Sequence, residues 1–236
     1  MKDIKKALYV LVSFLIISCT SQTTDQQMEK AASSNPGSAF KETKADKPVI
    51  LFFGNSITKA YGLEPEYAFS NLIQGRLDSL GYNYLAINAG LSGETTASGL
   101  SRVSWVLKTV PEIFVLELGA NDGLRGINTE ETEKNLKQII AKVREVNPDI
   151  KILLAGMEVP PSMGEGYAGP FRKIYPAIRD SEQVELIPFI LDKVAGEPEL
   201  NLPDGIHPTE EGHRIVSETV WKYLQPMLTP PDTGAS

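Results

Sequence analysis

Six consecutive apolar residues, Pro48-Val-Ile-Leu-Phe-Phe53, stand directly before Gly54. A strand with one solvated face alternates apolar and polar residues, whereas an unbroken run of this length is typical of a strand covered on both faces. Strands covered in that way belong to parallel sheets with helices packed on each side. The run therefore predicts a buried strand of an α/β domain that ends at Gly54.

Strand and helix patterns alternate after this run. Apolar runs predict further strands at residues 82–89, 112–118, 150–155 and 184–190. Apolar residues at helical spacing predict helices within residues 68–80, 100–110, 136–146 and 208–227, the last with Pro208 as its first residue. Alternation of this kind predicts a three-layer α/β/α sandwich around a five-stranded, mostly parallel sheet, with ligands at the carboxyl ends of the strands.

The composition is that of a globular protein with one domain. The chain has 236 residues, 42% of them hydrophobic and 22% charged, which is enough for one sizeable core and short for two. Its formal net charge of −7 has the wrong sign for an electrostatic nucleic-acid binder. One cysteine and two histidines argue against a zinc cluster, so we expect neither a metal nor a nucleic-acid partner.

The N-terminus has the pattern of an export signal. Three lysines within residues 2–6 precede a largely apolar stretch of eleven residues at 7–17, a length that suits a signal peptide and is too short to span a bilayer. The following Ile16-Ile17-Ser18-Cys19 resembles the lipobox of bacterial lipoproteins, in which cleavage before the cysteine leaves a lipid on its thiol. The alternative is a buried N-terminal strand with an incidental cysteine. We expect a signal peptide at 1–18 and an extracytoplasmic protein, lipid-anchored through Cys19 at the periplasmic or outer-membrane face of a bacterial membrane.

Two further segments lack apolar periodicity. Residues 19–46 are rich in Ser, Thr, Gln, Ala and Lys, and a segment of that kind buries too little surface to offset its ordering entropy. We expect a flexible tether there and a disordered tail at 229–236. The domain itself is then predicted at residues 47–228.

Polar segments follow the predicted strands and precede the last helix. They are Gly54-Asn55-Ser56-Ile57-Thr58, Asn88-Ala89-Gly90-Leu91-Ser92-Gly93-Glu94-Thr95-Thr96, Gly119-Ala120-Asn121-Asp122-Gly123 and Asp204-Gly205-Ile206-His207-Pro208. Each of these patterns alone arises often by chance, but the four segments together, in this order and at predicted strand ends or loops, do not. Together they resemble the four sequence blocks of the SGNH hydrolases, also called GDSL esterases and lipases, over about residues 48–228. The resemblance to the branch of lysophospholipases, thioesterase I and arylesterases is close, chiefly through residues 118–126 and 204–208.

The chemistry of a serine hydrolase explains three of these residues. The Ser56 hydroxyl is a poor nucleophile until a base takes its proton, and the imidazole of His207 can do so near neutral pH. Asp204, three residues earlier, can accept the other ring N–H and stabilise the imidazolium.

The resemblance implies the remaining features. These are a flavodoxin-like fold, no cofactor, and an oxyanion hole formed by the backbone N–H groups of Ser56 and Gly93 with the side-chain amide of Asn121. It also implies hydrolysis, through an acyl-enzyme, of carboxylic esters or thioesters such as lysophospholipid, aryl or short-to-medium acyl esters. A carbohydrate O-acetylesterase and a non-catalytic ligand-binding lipoprotein are the alternatives.

Each predicted site residue also has a purely structural interpretation. Ser56 could cap the following helix, and Asp204, Asn121 and Gly93 could be ordinary turn residues. The second histidine, His213, falls inside the last helical pattern and is expected to be a partly buried or surface residue.

Several neighbours of the four segments carry expectations of their own. Glu94, Asp122 and Arg125 are expected to form local structure or salt bridges. Residues 159–171 contain Pro160-Pro161-Ser162-Met163-Gly164-Glu165-Gly166-Tyr167, which predicts a mobile substrate loop. Asn55 is a departure, because the family usually has Asp before the serine; Asn retains an acceptor oxygen and loses the charge.

Overall fold

The computed structural model describes residues 47–231. The predicted signal peptide, the lipid-attachment residue Cys19 and the tether lie outside the described residues, as do residues 232–236 of the predicted tail. Thr229, the first residue of that tail, donates its N–H to the Tyr84 hydroxyl over 3.1 Å.

A five-stranded parallel sheet forms the centre of the domain. Its strands are β1 (Val49–Gly54), β2 (Leu85–Gly90), β3 (Ile113–Glu117), β4 (Lys151–Ala155) and β5 (Glu185–Ile187). Their order across the sheet is β2-β1-β3-β4-β5, and every neighbouring pair is parallel. The first strand is buried at all six positions, as its unbroken apolar run predicts.

Within residues 47–231, seven α-helices connect and cover the strands. They are α1 (Ser56–Lys59), α2 (Phe69–Ser79), α3 (Thr96–Val106), α4 (Ala120–Leu124), α5 (Thr129–Val146), α6 (Glu165–Glu182) and α7 (Glu210–Leu224). Short 3-10 turns occur at Pro65–Tyr67, Pro161–Met163, Pro198–Leu200 and Gln225–Met227. Helix α2 packs against α7, and α5 packs between α3 and α6. The predicted α/β/α sandwich is confirmed, and its sheet is wholly parallel.

Two predicted strands differ from the structure by three residues at one end. The second begins at Leu85 and not at residue 82, because the chain leaves α2 through Gly81, whose φ of +75° turns the backbone. The fifth ends at Ile187, since Pro188 follows and has no N–H for the sheet ladder.

The last helix also begins later than predicted. Pro208 is not its first residue, because it pairs in an isolated β-bridge with Asn201 and is held extended. Thr209 is the N-cap, and its side chain accepts the Gly212 N–H over 3.2 Å. This later start leaves His207 in a loop.

Helix α6 occupies the end of the segment predicted as a mobile loop. Pro170 and Pro176 lie inside the helix, and each removes a backbone donor, which is why the sequence did not indicate a helix there. The helix forms because it buries an apolar face whose members are Ala168, Phe171, Ile174, Tyr175 and Ile178. The loop proper is confined to residues 156–164.

Candidate active site

The topology of the sheet brings the four polar segments to one edge. Strand β1 lies between β2 and β3. The chain therefore passes from β1 to β2 on one side of it, and then crosses over to β3 on the other side. A crevice forms at such a switch point, outside the carboxyl ends of the strands. Ser56 follows β1, Gly93 follows β2 and Asn121 follows β3. The loop before α7 adds Asp204 and His207.

Two hydrogen bonds join Ser56, His207 and Asp204. The Nε2 atom of His207 lies 2.8 Å from the Ser56 hydroxyl oxygen, and its Nδ1 atom lies 2.7 Å from Asp204 Oδ2. With the ring proton on Nδ1 facing the carboxylate, Nε2 is free to accept the serine proton. The Tyr61 ring lies beside His207, with ring centroids 4.6 Å apart.

Asp204 is held in the ionised form. Its Oδ1 atom accepts the backbone N–H groups of Ile206 at 2.9 Å and His207 at 3.0 Å. The His207 backbone and ring and the Ile206 N–H all stabilise the negative charge, and they lower the pKa of Asp204 to about 2. A carboxylate fixed in this way can orient the ring and stabilise an imidazolium.

His213 takes no part in this chain of contacts. It is 1% exposed, and its ring stacks nearly parallel to Phe69 with centroids 6.2 Å apart. Burial is the main cause that lowers the pKa of His213 to about 4, so the ring is neutral at physiological pH. It is more deeply buried than the sequence predicts. The structure brings His207, and not His213, to Ser56.

The two loops that carry the predicted oxyanion donors are joined by hydrogen bonds. Asn121 Nδ2 donates one proton to the Glu94 carbonyl over 3.1 Å, and its second N–H is left for another acceptor. Arg125 donates to the Gly93 carbonyl over 3.1 Å. Gly93 has a φ of +79°, a conformation that favours glycine. The donors are thereby fixed before a ligand arrives, as an oxyanion hole requires.

The acidic neighbours of these loops are structural, as expected. Glu94 forms a buried ion pair with Arg102, with 2.5 Å between Oε2 and Nη2. The Asp122 carboxylate accepts both the backbone N–H and the hydroxyl of Thr96, at 2.9 and 2.5 Å. These contacts attach the start of α3 to α4.

The helix cap after β1 is Asn55 and not Ser56. Its side-chain Oδ1 accepts the Ile57 N–H over 2.9 Å, and its Nδ2 donates to Glu117 over 2.7 Å. Ser56 therefore does not cap the helix, which was the purely structural interpretation of this residue. Glu117 was not among the sequence-predicted residues. The feature that could have indicated it is a charged residue in the otherwise apolar strand β3.

An apolar cleft opens beside these residues. It has a volume of about 460 Å³, and its wall includes neighbours of the predicted site at Ile57, Ala120 and Ile206. Further apolar walls come from Leu124, Met157, Val159, Phe189 and Leu191. A larger cavity of about 690 Å³ lies at the opposite, amino end of the strands, between Val49, Leu85 and Pro111, where no predicted site residue contributes. The smaller cleft is the one positioned for chemistry.

Two further observations concern residues 47–231 as a group. No helix in this range is both long and apolar enough to cross a membrane. No three His, Cys, Asp or Glu side chains within it are clustered so as to hold a metal ion.

Comparison with known proteins places the fold and site in a family. The GDSL-like Lipase/Acylhydrolase family profile matches residues 52–215. The chain is 37% identical over 186 residues to Esterase TesA of Pseudomonas aeruginosa, covering 78% of this chain and 92% of that protein. It is 32% identical over 190 residues to thioesterase 1/protease 1/lysophospholipase L1 of Escherichia coli K12, covering 80% and 88%.

A solved structure gives the same result in three dimensions. The psychrotrophic esterase EstA from Pseudoalteromonas superposes with a TM-score of 0.72 at 28% identity, over 76% of this chain and 97% of that one. The sheet order, the four segments at its carboxyl edge and these relatives agree. The chain belongs to the GDSL-like lipase/acylhydrolase family, the SGNH hydrolases, and is an ester-hydrolysing enzyme.

Proposed function

We propose that Ser56 is the nucleophile, His207 the general base and Asp204 the residue that orients it. The observation that carries the proposal is the position of His207, which hydrogen-bonds Ser56 at 2.8 Å and Asp204 at 2.7 Å through its two ring nitrogens. The Ser56 hydroxyl attacks the ester carbonyl carbon while its proton passes to His207 Nε2. The resulting oxyanion accepts hydrogen bonds from the Ser56 and Gly93 N–H groups and from the Asn121 amide.

The second half of the reaction uses the same groups in reverse. The tetrahedral intermediate collapses, and the leaving alcohol takes the proton from His207. A water molecule then attacks the acyl-enzyme with His207 again as base, and the carboxylic acid leaves. His207 therefore acts as base and then as acid in each half of the reaction.

The preferred substrate is an ester with a short-to-medium acyl chain or an aryl group. The cleft beside Ser56 is lined mainly by apolar side chains, with Glu158 as its charged residue. An O-acetylesterase acting on carbohydrates would need polar side chains along this wall to bind sugar hydroxyls. The relatives named esterase and thioesterase/lysophospholipase also favour an acyl substrate.

A panel of p-nitrophenyl esters tests the acyl preference. Each buried methylene contributes about 0.8 kcal/mol, so kcat/KM should rise by up to about fourfold per methylene from acetate toward octanoate. Ala195→Trp, in the wall of the cleft, should lower octanoate hydrolysis by about tenfold or more and change acetate hydrolysis little. Ala141→Trp, on the exposed face of α5, is the matched control. A preference for acetylated sugars over octanoate would establish the O-acetylesterase alternative.

We also propose that the enzyme is extracytoplasmic and lipid-anchored to a bacterial membrane through Cys19. The support is the order of the basic residues, the apolar stretch and Ser18-Cys19 in the sequence. Lipoprotein processing normally attaches several acyl chains, which gives stable anchoring where one chain does not. The segment 20–46 would then separate the catalytic domain from the membrane.

Replacing Cys19 with serine tests the anchor. The variant should keep its ester hydrolysis but either appear in the soluble fraction or accumulate unprocessed, because serine offers no thiol for lipid attachment. Cell fractionation followed by an esterase assay measures both properties. Ser21→Ala, two residues downstream, should remain in the membrane fraction. Membrane attachment of mature Cys19→Ser would contradict the proposal.

A further inference from the structure

Glu117 lies beneath the turn that carries Ser56. It is the last residue of β3, it is completely buried, and it is the single charged residue of that strand. Its Oε2 atom accepts the Asn55 N–H at 3.1 Å, the Thr58 N–H at 3.3 Å and the Thr58 hydroxyl at 2.8 Å. Its Oε1 atom accepts the Asn55 side-chain amide at 2.7 Å. All four donors come from the two residues that flank Ser56 and Ile57.

The geometry favours the ionised form of Glu117. Two of the four partners are backbone N–H groups and one is an amide NH₂, and none of these can accept a proton. The only partner that could accept a proton from Glu117 is the Thr58 hydroxyl, which would then have to reverse its role. A protonated oxygen is also a weaker acceptor for the remaining N–H groups, so the carboxylate makes the stronger set of four contacts.

The turn is built around this carboxylate. A side chain at Gly54 would place its Cβ about 2.5 Å from Glu117 Oε2, so glycine is needed where β1 ends. Asn55 uses both ends of its amide, because Nδ2 donates to Glu117 and Oδ1 accepts the Ile57 N–H. The aspartate that is usual in the family at this position could not donate to Glu117. Two facing carboxyl groups would instead have to share a proton.

We propose that Glu117 is a positioning residue for the reaction, acting through Asn55 and Thr58 as a carboxylate that holds Ser56 against His207. The proposal rests on the proposed role of Ser56 as nucleophile. It also accounts for Asn55 where the family usually has Asp, because the amide can donate a hydrogen bond to the Glu117 carboxylate and no proton has to be shared.

The burial of Glu117 should make kcat depend on pH. Burial raises the pKa of Glu117 to about 7, and the hydrogen bonds from Thr58 and Asn55 oppose this rise only in part. The titratable side chain that faces it from α6 is Tyr175, whose own pKa is raised well above the usual value by burial and by the charges of Glu117 and Asp122. As the pH falls through about 7, Glu117 takes up a proton and its hydrogen bonds to the turn weaken. The acid limb of the kcat profile should then include one proton taken up by Glu117.

Glu117→Gln tests the proposal. Glutamine keeps the size but turns one acceptor into an NH₂ that faces other donors. We expect kcat to fall by about 10- to 100-fold, the range produced by a small misplacement of a reacting group, with KM unchanged. The acid limb should lose the proton that Glu117 contributes and become less steep. The matched control is His213→Gln, which perturbs a buried titratable residue outside the turn and should lower Tm but not kcat.

The exchange variant Asn55→Asp/Glu117→Gln separates positioning from folding. In it the new amide at position 117 donates to the new carboxylate at position 55, whose other oxygen still accepts the Ile57 N–H. The hydrogen bond between the two side chains is thus restored with reversed polarity, and we expect the variant to recover most of the lost kcat.

Two results would overturn the inference. One is a wild-type kcat and acid limb in Glu117→Gln. The other is a fall in kcat of Glu117→Gln that equals the fall in His213→Gln at equal Tm and that the exchange variant does not recover. Absence of fluorophosphonate labelling of Ser56 in the wild-type protein would instead contradict the proposed function.

Discussion

Replacing Ser56 with alanine is expected to reduce kcat for p-nitrophenyl butyrate by about 10⁶-fold, which leaves only the catalysis that oxyanion binding gives to water. In the proposed mechanism the hydroxyl oxygen forms the covalent bond to the acyl group, and without it His207 Nε2, at 2.8 Å, has no serine proton to accept. KM should change little, because the apolar cleft that we propose binds the acyl chain is untouched.

The stability of this variant distinguishes catalysis from structure. Ser56 is 9% exposed, but the cap of α1 is Asn55, so the alanine variant should melt within a few degrees of wild type. Stopped assays for hydrolysis and calorimetry for Tm provide the two measurements. Ser101→Ala, an exposed serine on α3 that bonds only its own helix, is the control. Wild-type kcat in Ser56→Ala would remove the serine from the mechanism.

The fold was predictable because its strands are local patterns. The first and third strands are buried on both faces, and their unbroken apolar runs indicate this without knowledge of any partner. Helix α6 was missed because Pro170 and Pro176 carry a strong local signal against a helix. The packing of Phe171 and Tyr175 in the core overrides that signal, and packing is not visible in a sequence window.

The site was predictable for a different reason. Ser56 and His207 are 151 residues apart, and nothing in their local sequence joins them; the four family segments in order supplied the pairing. The role of Glu117 could not be found in this way. One charge in an apolar strand indicates that a buried partner exists, but the partner, Asn55, is 62 residues distant and becomes apparent only when β1 and β3 are placed side by side.

Asn121 is the proposed oxyanion donor that can be removed without changing the backbone. Its amide donates one N–H to the Glu94 carbonyl, and in the proposed mechanism the other N–H meets the charge that develops on the substrate oxygen. An interaction that exists only in the transition state affects kcat and kcat/KM equally and leaves KM nearly unchanged. If Asn121 served only to close the turn, its removal would lower stability and not the rate.

Asn121→Ala should therefore lower kcat by about 10²- to 10³-fold, or about 2.7–4 kcal/mol, as the loss of one such donor does. The matched control is Asn128→Ala, which deletes the Oδ1 that caps α5 by accepting the Glu130 N–H over 2.7 Å. That loss should destabilise the fold by about 1 kcal/mol and leave kcat unchanged. Steady-state kinetics and urea denaturation on both variants give the comparison. Because Ser56 and His207 remain in place, a fluorophosphonate should still label Asn121→Ala slowly. A fall in kcat of less than about tenfold, equivalent to about 1.4 kcal/mol, would exclude Asn121 from the oxyanion hole.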